Sequence, residues 1–136
     1  MHHLLMQKDF DTWNIRKKNI DHSKRSILFS EGEVWWCALG VNIGFEQDGV
    51  NELFERPILV FKKFSNDVLW VLPLTKSIKT NPYYYQINHS EFPSSVILSQ
   101  IRLISSKRLL RRMGTIERVE FFEIIKKFEN ILPHKH

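Results

Sequence analysis

The sequence predicts an α+β fold that is mainly β: a small, partly open antiparallel barrel with one helix before it and one after it. Three observations lead there. Short runs rich in β-branched and aromatic residues are separated by hairpin-length polar turns. A closing segment repeats its apolar residues at helical spacing. The chain has 136 residues, 43% of them hydrophobic and 26% charged, which suits one core and a single domain over 1–136.

The elements follow in order. Residues 8–25 read as a helix, because Phe10, Trp13 and Ile20 fall close to one face and Asp9 or Asp11 suits its start. A helix this short is marginal alone. It is expected to pack on the barrel or on a second subunit, as an N-terminal extension (1–30) to a barrel with its closing helix (31–136). Ser30-Glu31-Gly32 is a turn, and Glu33–Leu39 is a largely buried strand. Residues 40–55 hold Gly40, Gly44 and Gly49 and little periodicity, so they form a loop of about 15 residues; loops that long in small domains are usually functional or mobile.

Arg56–Phe64 is a strand opening on Arg-Pro, where proline is tolerated because no ladder bond is lost. Ser65-Asn66-Asp67 is a hairpin turn, and Val68–Leu74 returns. After a polar connection over 75–81, Tyr83–Asn88 is a strand near an edge. Glu91-Phe92-Pro93 turns the chain into a long β-branched strand, Ser94–Ile104. Ser105–Met113 is basic, with a short helical turn expected, and Gly114 is expected to mark a break. Glu117–Leu132 is a helix with Val119, Phe122, Ile125, Phe128 and Leu132 on its apolar face, stopped by Pro133. Strands this short, joined by hairpin links, favour an SH3-like barrel.

Charge and cysteine usage narrow the function. Lys and Arg total 20 against 15 acidic residues, a net +5, and the pI is about 9.4. Arg102, Lys107, Arg108, Arg111 and Arg112 cluster with no acidic residue between them. Such a patch suits phosphate backbones or an acidic protein partner, although a solvated basic face is the plainer reading. The single cysteine, Cys37, sits in an apolar run and reads as a buried thiol. It leaves no internal disulfide and no multi-cysteine zinc site. No apolar run approaches the roughly 18–20 residues that span a bilayer, and Met1–Lys8 lacks the pattern of a secretory signal. A cytoplasmic protein with no membrane association is expected.

Three strand ends carry candidate chemistry: Arg56 in Arg56-Pro57-Ile58-Leu59-Val60, Thr75 in Leu74-Thr75-Lys76-Ser77, and Gln100 in Val96-Ile97-Leu98-Ser99-Gln100-Ile101-Arg102. With Gly32-Glu33-Val34-Trp35 and Glu46-Gln47-Asp48-Gly49 before them, these segments in this order resemble the MazF/PemK family of toxins from type II toxin–antitoxin systems. The resemblance runs from about Gly32 to Leu132. It implies the CcdB/PemK-like version of the barrel and a homodimeric endoribonuclease that needs no metal or other cofactor. Such an enzyme cuts single-stranded RNA, chiefly mRNA, at a short motif and leaves a 2′,3′-cyclic phosphate and a 5′-hydroxyl. It also implies a cognate acidic antitoxin. Arg56 and Thr75 match catalytic positions; Glu46, Gln47, Lys76, Ser77 and Gln100 fall where substrate is bound.

The residues suit that chemistry. Cleavage by the RNA's own 2′-hydroxyl needs in-line geometry, a stabilised phosphorane and proton traffic, but no protein nucleophile. Arg56 brings a planar fork that donates two charge-assisted hydrogen bonds to phosphate oxygens; taken alone, a salt bridge with Glu55 or Glu52 is the plainer reading. Thr75 brings a hydroxyl for a phosphate or leaving oxygen; taken alone, it is a strand-end turn former. Gln100 and Arg102 alternate with Ile101 and Leu103, so Gln100 contacts RNA, braces the site or makes a barrel hydrogen bond. The base stays open among Glu46, Asp48 and His89, since arginine keeps its proton at neutral pH.

Trp35, Trp36 and Trp70 read as core or dimer-interface residues, and Tyr83 and Tyr85 as base-stacking candidates with Tyr84 inward. The sequence departs from the family in its longer 41–55 loop, in Lys76 between Thr75 and Ser77, and in its N-terminal helix. Two alternatives remain: a non-catalytic toxin or RNA-binding module on the same fold, and a CcdB-like gyrase poison. The latter needs an aromatic-tipped C-terminal segment, whereas this chain ends Leu132-Pro133-His134-Lys135-His136.

Overall fold

The computed structural model describes residues 27–39, 55–88, 92 and 95–134; the expected helix over 8–25, residues 40–54 of the expected loop and His89 lie outside them. The described residues form seven strands and one helix. These are β1 (Glu33–Ala38), β2 (Glu55–Lys63), β3 (Val68–Thr75), β4 (Tyr84–Gln86), β5 (Ser95–Ile97), β6 (Arg102–Ser105), β7 (Leu109–Thr115) and α1 (Arg118–Asn130). The sheet runs β4-β5-β3-β2-β1-β7, with β6 also on β3. All pairings are antiparallel. Its ends, β4 and β7, do not pair, so the barrel is open.

The β2–β3 hairpin forms as its sequence predicts. Phe64 N–H donates to Val68 O at 3.1 Å, and Ser65 Oγ accepts the Asp67 N–H at 3.1 Å. That side-chain turn at Ser65-Asn66-Asp67 reverses the chain without help from glycine. At Gly32 the backbone takes φ +92°, a left-handed conformation that glycine adopts at little cost. Its N–H donates to Val60 O and its carbonyl accepts from Ile116 N–H, both at 2.8 Å. The turn therefore ties β2 to the chain that leads into α1.

The long strand expected over Ser94–Ile104 is broken. Its two ends lie along the same edge of β3, Ser95 opposite Thr75 and Arg102 opposite Val71. Between them Leu98–Gln100 form a 3-10 turn. Pro73 lies in the facing stretch of β3. It has no N–H to give the ladder, and the chain opposite it leaves the sheet there. Gln100 thus sits on a turn, and it does not share a strand face with Arg102 as the alternation suggested.

One further expectation is corrected. Gly114 is no break, since it lies inside β7 opposite Val34. A Cβ there would meet the Phe92 ring at 2.8 Å, so the position is glycine for close approach. The short helical turn expected in the basic segment is present as a 3-10 turn over Ser106–Arg108, before β7 begins.

The central strands bury both faces, as near-continuous apolar runs require. One face carries Trp35, Cys37, Ile58, Val60, Leu69, Val71 and Ile104. The other carries Val34, Leu59, Leu72, Leu74 and Val96, and α1 packs there through Ile124 with Phe121, Phe128 and Ile131. The sequence placed Val119, Phe122 and Leu132 on the inner face, but they are exposed. Tyr85 secures the helix further. Its hydroxyl donates toward Glu123 Oε1 at 2.9 Å and Glu120 Oε2 at 3.2 Å. Burial, then those carboxylates, hold the phenol above its ordinary pKa. Tyr85 is thereby a helix anchor and no stacking platform.

Candidate active site

Strand register builds the site. Arg56 lies opposite Cys37 of β1. The β2–β3 ladder pairs Ile58 with Pro73, and the same register carried two residues further sets Arg56 level with Thr75. Thr75 in turn pairs with Ser95 of β5, and Ser95 with Gln86 of β4. Directly paired residues point to the same side of a sheet. A polar row, Arg56-Thr75-Ser95-Gln86, therefore crosses four strands on the face opposite α1, beside the core around Cys37 and Val71.

Arg56 is 1% exposed and has interaction partners of its own, as a buried charge must. Glu55 alternates to the other face, where its carboxylate meets Arg111 Nη2 at 3.0 Å. Thr75 is half-buried. Its Oγ1 accepts the Ser77 N–H at 3.3 Å, which occupies a lone pair and leaves the hydroxyl proton to donate. Lys76 and Ser77 follow it, exposed. Gln100 is half-buried on its turn, flanking β3 between Thr75 and Val71. Glu46, Gln47 and Asp48 lie outside the described residues. The register thus sets Arg56 and Thr75 at the same level of neighbouring strands, with Lys76 and Ser77 next along the chain.

Sequence reasoning missed Ser95. It is 0% exposed, and its Oγ has no hydrogen-bond partner. The signal lay in the strand order, which only the fold reveals. An open groove of about 560 Å³ lies where the edge strand β4 meets α1, lined by Lys79, Thr80, Asn81, Gln86, Lys127 and Asn130 among others.

The basic stretch is less free than its sequence suggests. Arg111 lies 5.2 Å over the Trp36 ring as well as on Glu55. Arg112 reaches Glu33 at 3.3 Å, and Arg108 Nη1 donates to Ala38 O at 3.0 Å. Much of this charge therefore braces β1 and β7. Trp35 is in the core with its Nε1 donating to Glu33 Oε1 at 2.9 Å, while Trp70 is exposed and meets Phe64 edge-on.

Cys37 is fully buried. Burial pushes its thiol from the ordinary 9.0 up to about 12, against the opposing pull of Arg108 and then Arg102. A pKa raised by folding favours the native state below the unfolded value, so this contribution is intact below about pH 9 and is lost as pH rises toward about 12. The thiol is expected to resist a thiol-specific reagent in the native protein at pH 8 and to react on unfolding. Rapid modification without denaturant would contradict its burial.

The fold and the site define a small open β-barrel that sets an arginine and a hydroxyl level on neighbouring strands, near the strand ends. Residues 30–132 match the model of the PemK-like, MazF-like toxins of type II toxin–antitoxin systems, and the chain belongs to that family. Among solved structures it is similar to MazF from Deinococcus radiodurans, with a TM-score of 0.64 at 17% identity, covering 77% of this chain and 96% of that one. It is also similar to an endoribonuclease in complex with its cognate antitoxin from a Mycobacterial species, with a TM-score of 0.62 at 16% identity, covering 79% and 100%. A MazE–MazF complex from Deinococcus radiodurans matches with a TM-score of 0.61 at 15% identity, covering 80% and 99%. A search of curated proteins found no match. At these identities the structures establish the shared fold, and no helix of the described residues is long and apolar enough to cross a membrane.

Proposed function

We propose that this protein is the toxin of a type II toxin–antitoxin pair and acts as a metal-independent endoribonuclease on single-stranded RNA. What supports the reading is the β2–β3 register, which, continued past Ile58 and Pro73, sets Arg56 level with Thr75 in a chain of this family. The 2′-oxygen gives up its proton and attacks phosphorus as the P–O5′ bond breaks, and the departing 5′ oxygen takes a proton from solvent, leaving a 2′,3′-cyclic phosphate and a 5′-hydroxyl. Arg56 meets the charge that builds on the phosphoryl oxygens, where a preorganised donor lowers the barrier most. Thr75 donates a hydrogen bond to a phosphoryl or leaving oxygen. Lys76, Ser77 and Gln100, with Glu46 and Gln47 of the preceding loop, hold the flanking RNA. A carboxylate of that loop, Glu46 or Asp48, takes the 2′ proton.

In this reading the chain is one domain, works in the cytoplasm as a homodimer and is silenced by an acidic antitoxin. Both the RNA and the antitoxin suit its net charge of +5. The test is direct. Purified protein is incubated with long single-stranded RNA in excess EDTA, and the new ends are mapped. Cuts at a recurring short motif, with 5′-hydroxyl and cyclic phosphate ends, are expected. Intact RNA across a range of motif contents would overturn the proposal.

A further inference from the structure

The geometry points to Ser95 as a positioning residue that orients the Thr75 hydroxyl toward RNA, an inference that rests on the nuclease reading above. Ser95 sits in β5 directly opposite Thr75. It is 0% exposed, and its Oγ has no hydrogen-bond partner. A buried hydroxyl left without a partner destabilises the fold. Such a group calls for an explanation outside the resting hydrogen-bond pattern.

Opposed residues in an antiparallel pair hold their Cβ atoms about 4.5–5.5 Å apart. Two hydroxyls turned toward each other across that gap come within hydrogen-bond distance, and a serine side chain reaches such a position by changing one χ1 well. Gln86, which faces Ser95 from the other side, is exposed.

Thr75 Oγ1 already accepts the Ser77 N–H. With Ser95 Oγ–H donating to its second lone pair, the threonine oxygen has both acceptor positions filled. Its single proton is then forced outward, toward the row's open side, where the scissile phosphate would lie beside Arg56. Chained donors also polarise one another and strengthen the outermost bond. Ser95 touches no reacting atom in this arrangement and acts only through Thr75.

The test is a double-mutant cycle on the full chain under single-turnover conditions, with Ser95→Ala, Thr75→Ala and the pair, alongside thermal melts. Ser95→Ala is expected to cut RNA about 10-fold more slowly, the rate equivalent of about one neutral hydrogen bond, with the half-saturating enzyme concentration unchanged. Its melting temperature should stay level or rise, because the change deletes an unsatisfied buried hydroxyl. In the Thr75→Ala background the same substitution should change nothing. Wild-type cleavage by Ser95→Ala overturns the inference and leaves the nuclease reading standing. So does a loss equally large without Thr75, or a clear drop in melting temperature. Failure of the wild type to cut overturns both.

Discussion

Arg56→Lys and Arg56→Ala are expected to abolish measurable cleavage, with rates down about 10³-fold, a loss of about 4 kcal/mol of transition-state stabilisation. Lysine keeps the charge and loses the planar fork, so it separates bidentate recognition from simple attraction. The comparison matters because Arg56 is among the largest fully buried side chains of the chain. Truncation to alanine leaves a cavity as well as removing a cation, and a melt must accompany each rate. A lysine variant that keeps the fold and cuts at the wild-type rate would show that charge without the fork suffices, and an alanine variant that does so would remove Arg56 from the mechanism.

Ile124→Ala is expected to cost about 3 kcal/mol, the usual range for emptying a fully buried aliphatic site, and to lower the melting temperature by about 10 °C. Ile124 is 0% exposed and is the buried residue of α1. Val119→Ala, at a position 71% exposed, should stay within about 0.5 kcal/mol. Phe122→Ala should cost somewhat more, because Lys126 lies 5.7 Å over its ring, but well under Ile124→Ala. Urea or thermal denaturation ranks the three. A Phe122 variant as damaged as the Ile124 variant would show that the helix buries its other stripe.

That helix shows where sequence reading runs out. Its length and position followed from the spacing, yet two apolar stripes satisfy a period of 3.6. One contains Val119, Phe122 and Leu132, the other Phe121, Ile124, Phe128 and Ile131. Choosing between them needs the surface that the helix meets, here Leu59, Leu72 and Leu74. The late strand shows a different limit. Ser94–Ile104 alternates like one strand, and the residue that interrupts its ladder, Pro73, lies on the chain it faces. Gly114 is similar, since its reason is the ring of Phe92.

The sequence by itself determined the class of fold, the hairpin at Ser65-Asn66-Asp67, the buried thiol of Cys37 and the family. These depend on local periodicity, turn chemistry and the order of short motifs, all of which are written along one chain. It also singled out Arg56 and Thr75 one at a time, as strand-end residues. Tertiary structure decided their neighbourhood. Antiparallel register set them level, placed Ser95 and Gln86 in the same row and turned Gln100 onto a 3-10 turn. It also bound Arg111 and Arg112 to carboxylates of β2 and β1. Pairing across strands joins residues tens of positions apart, and no periodicity within either strand records which partner it will meet.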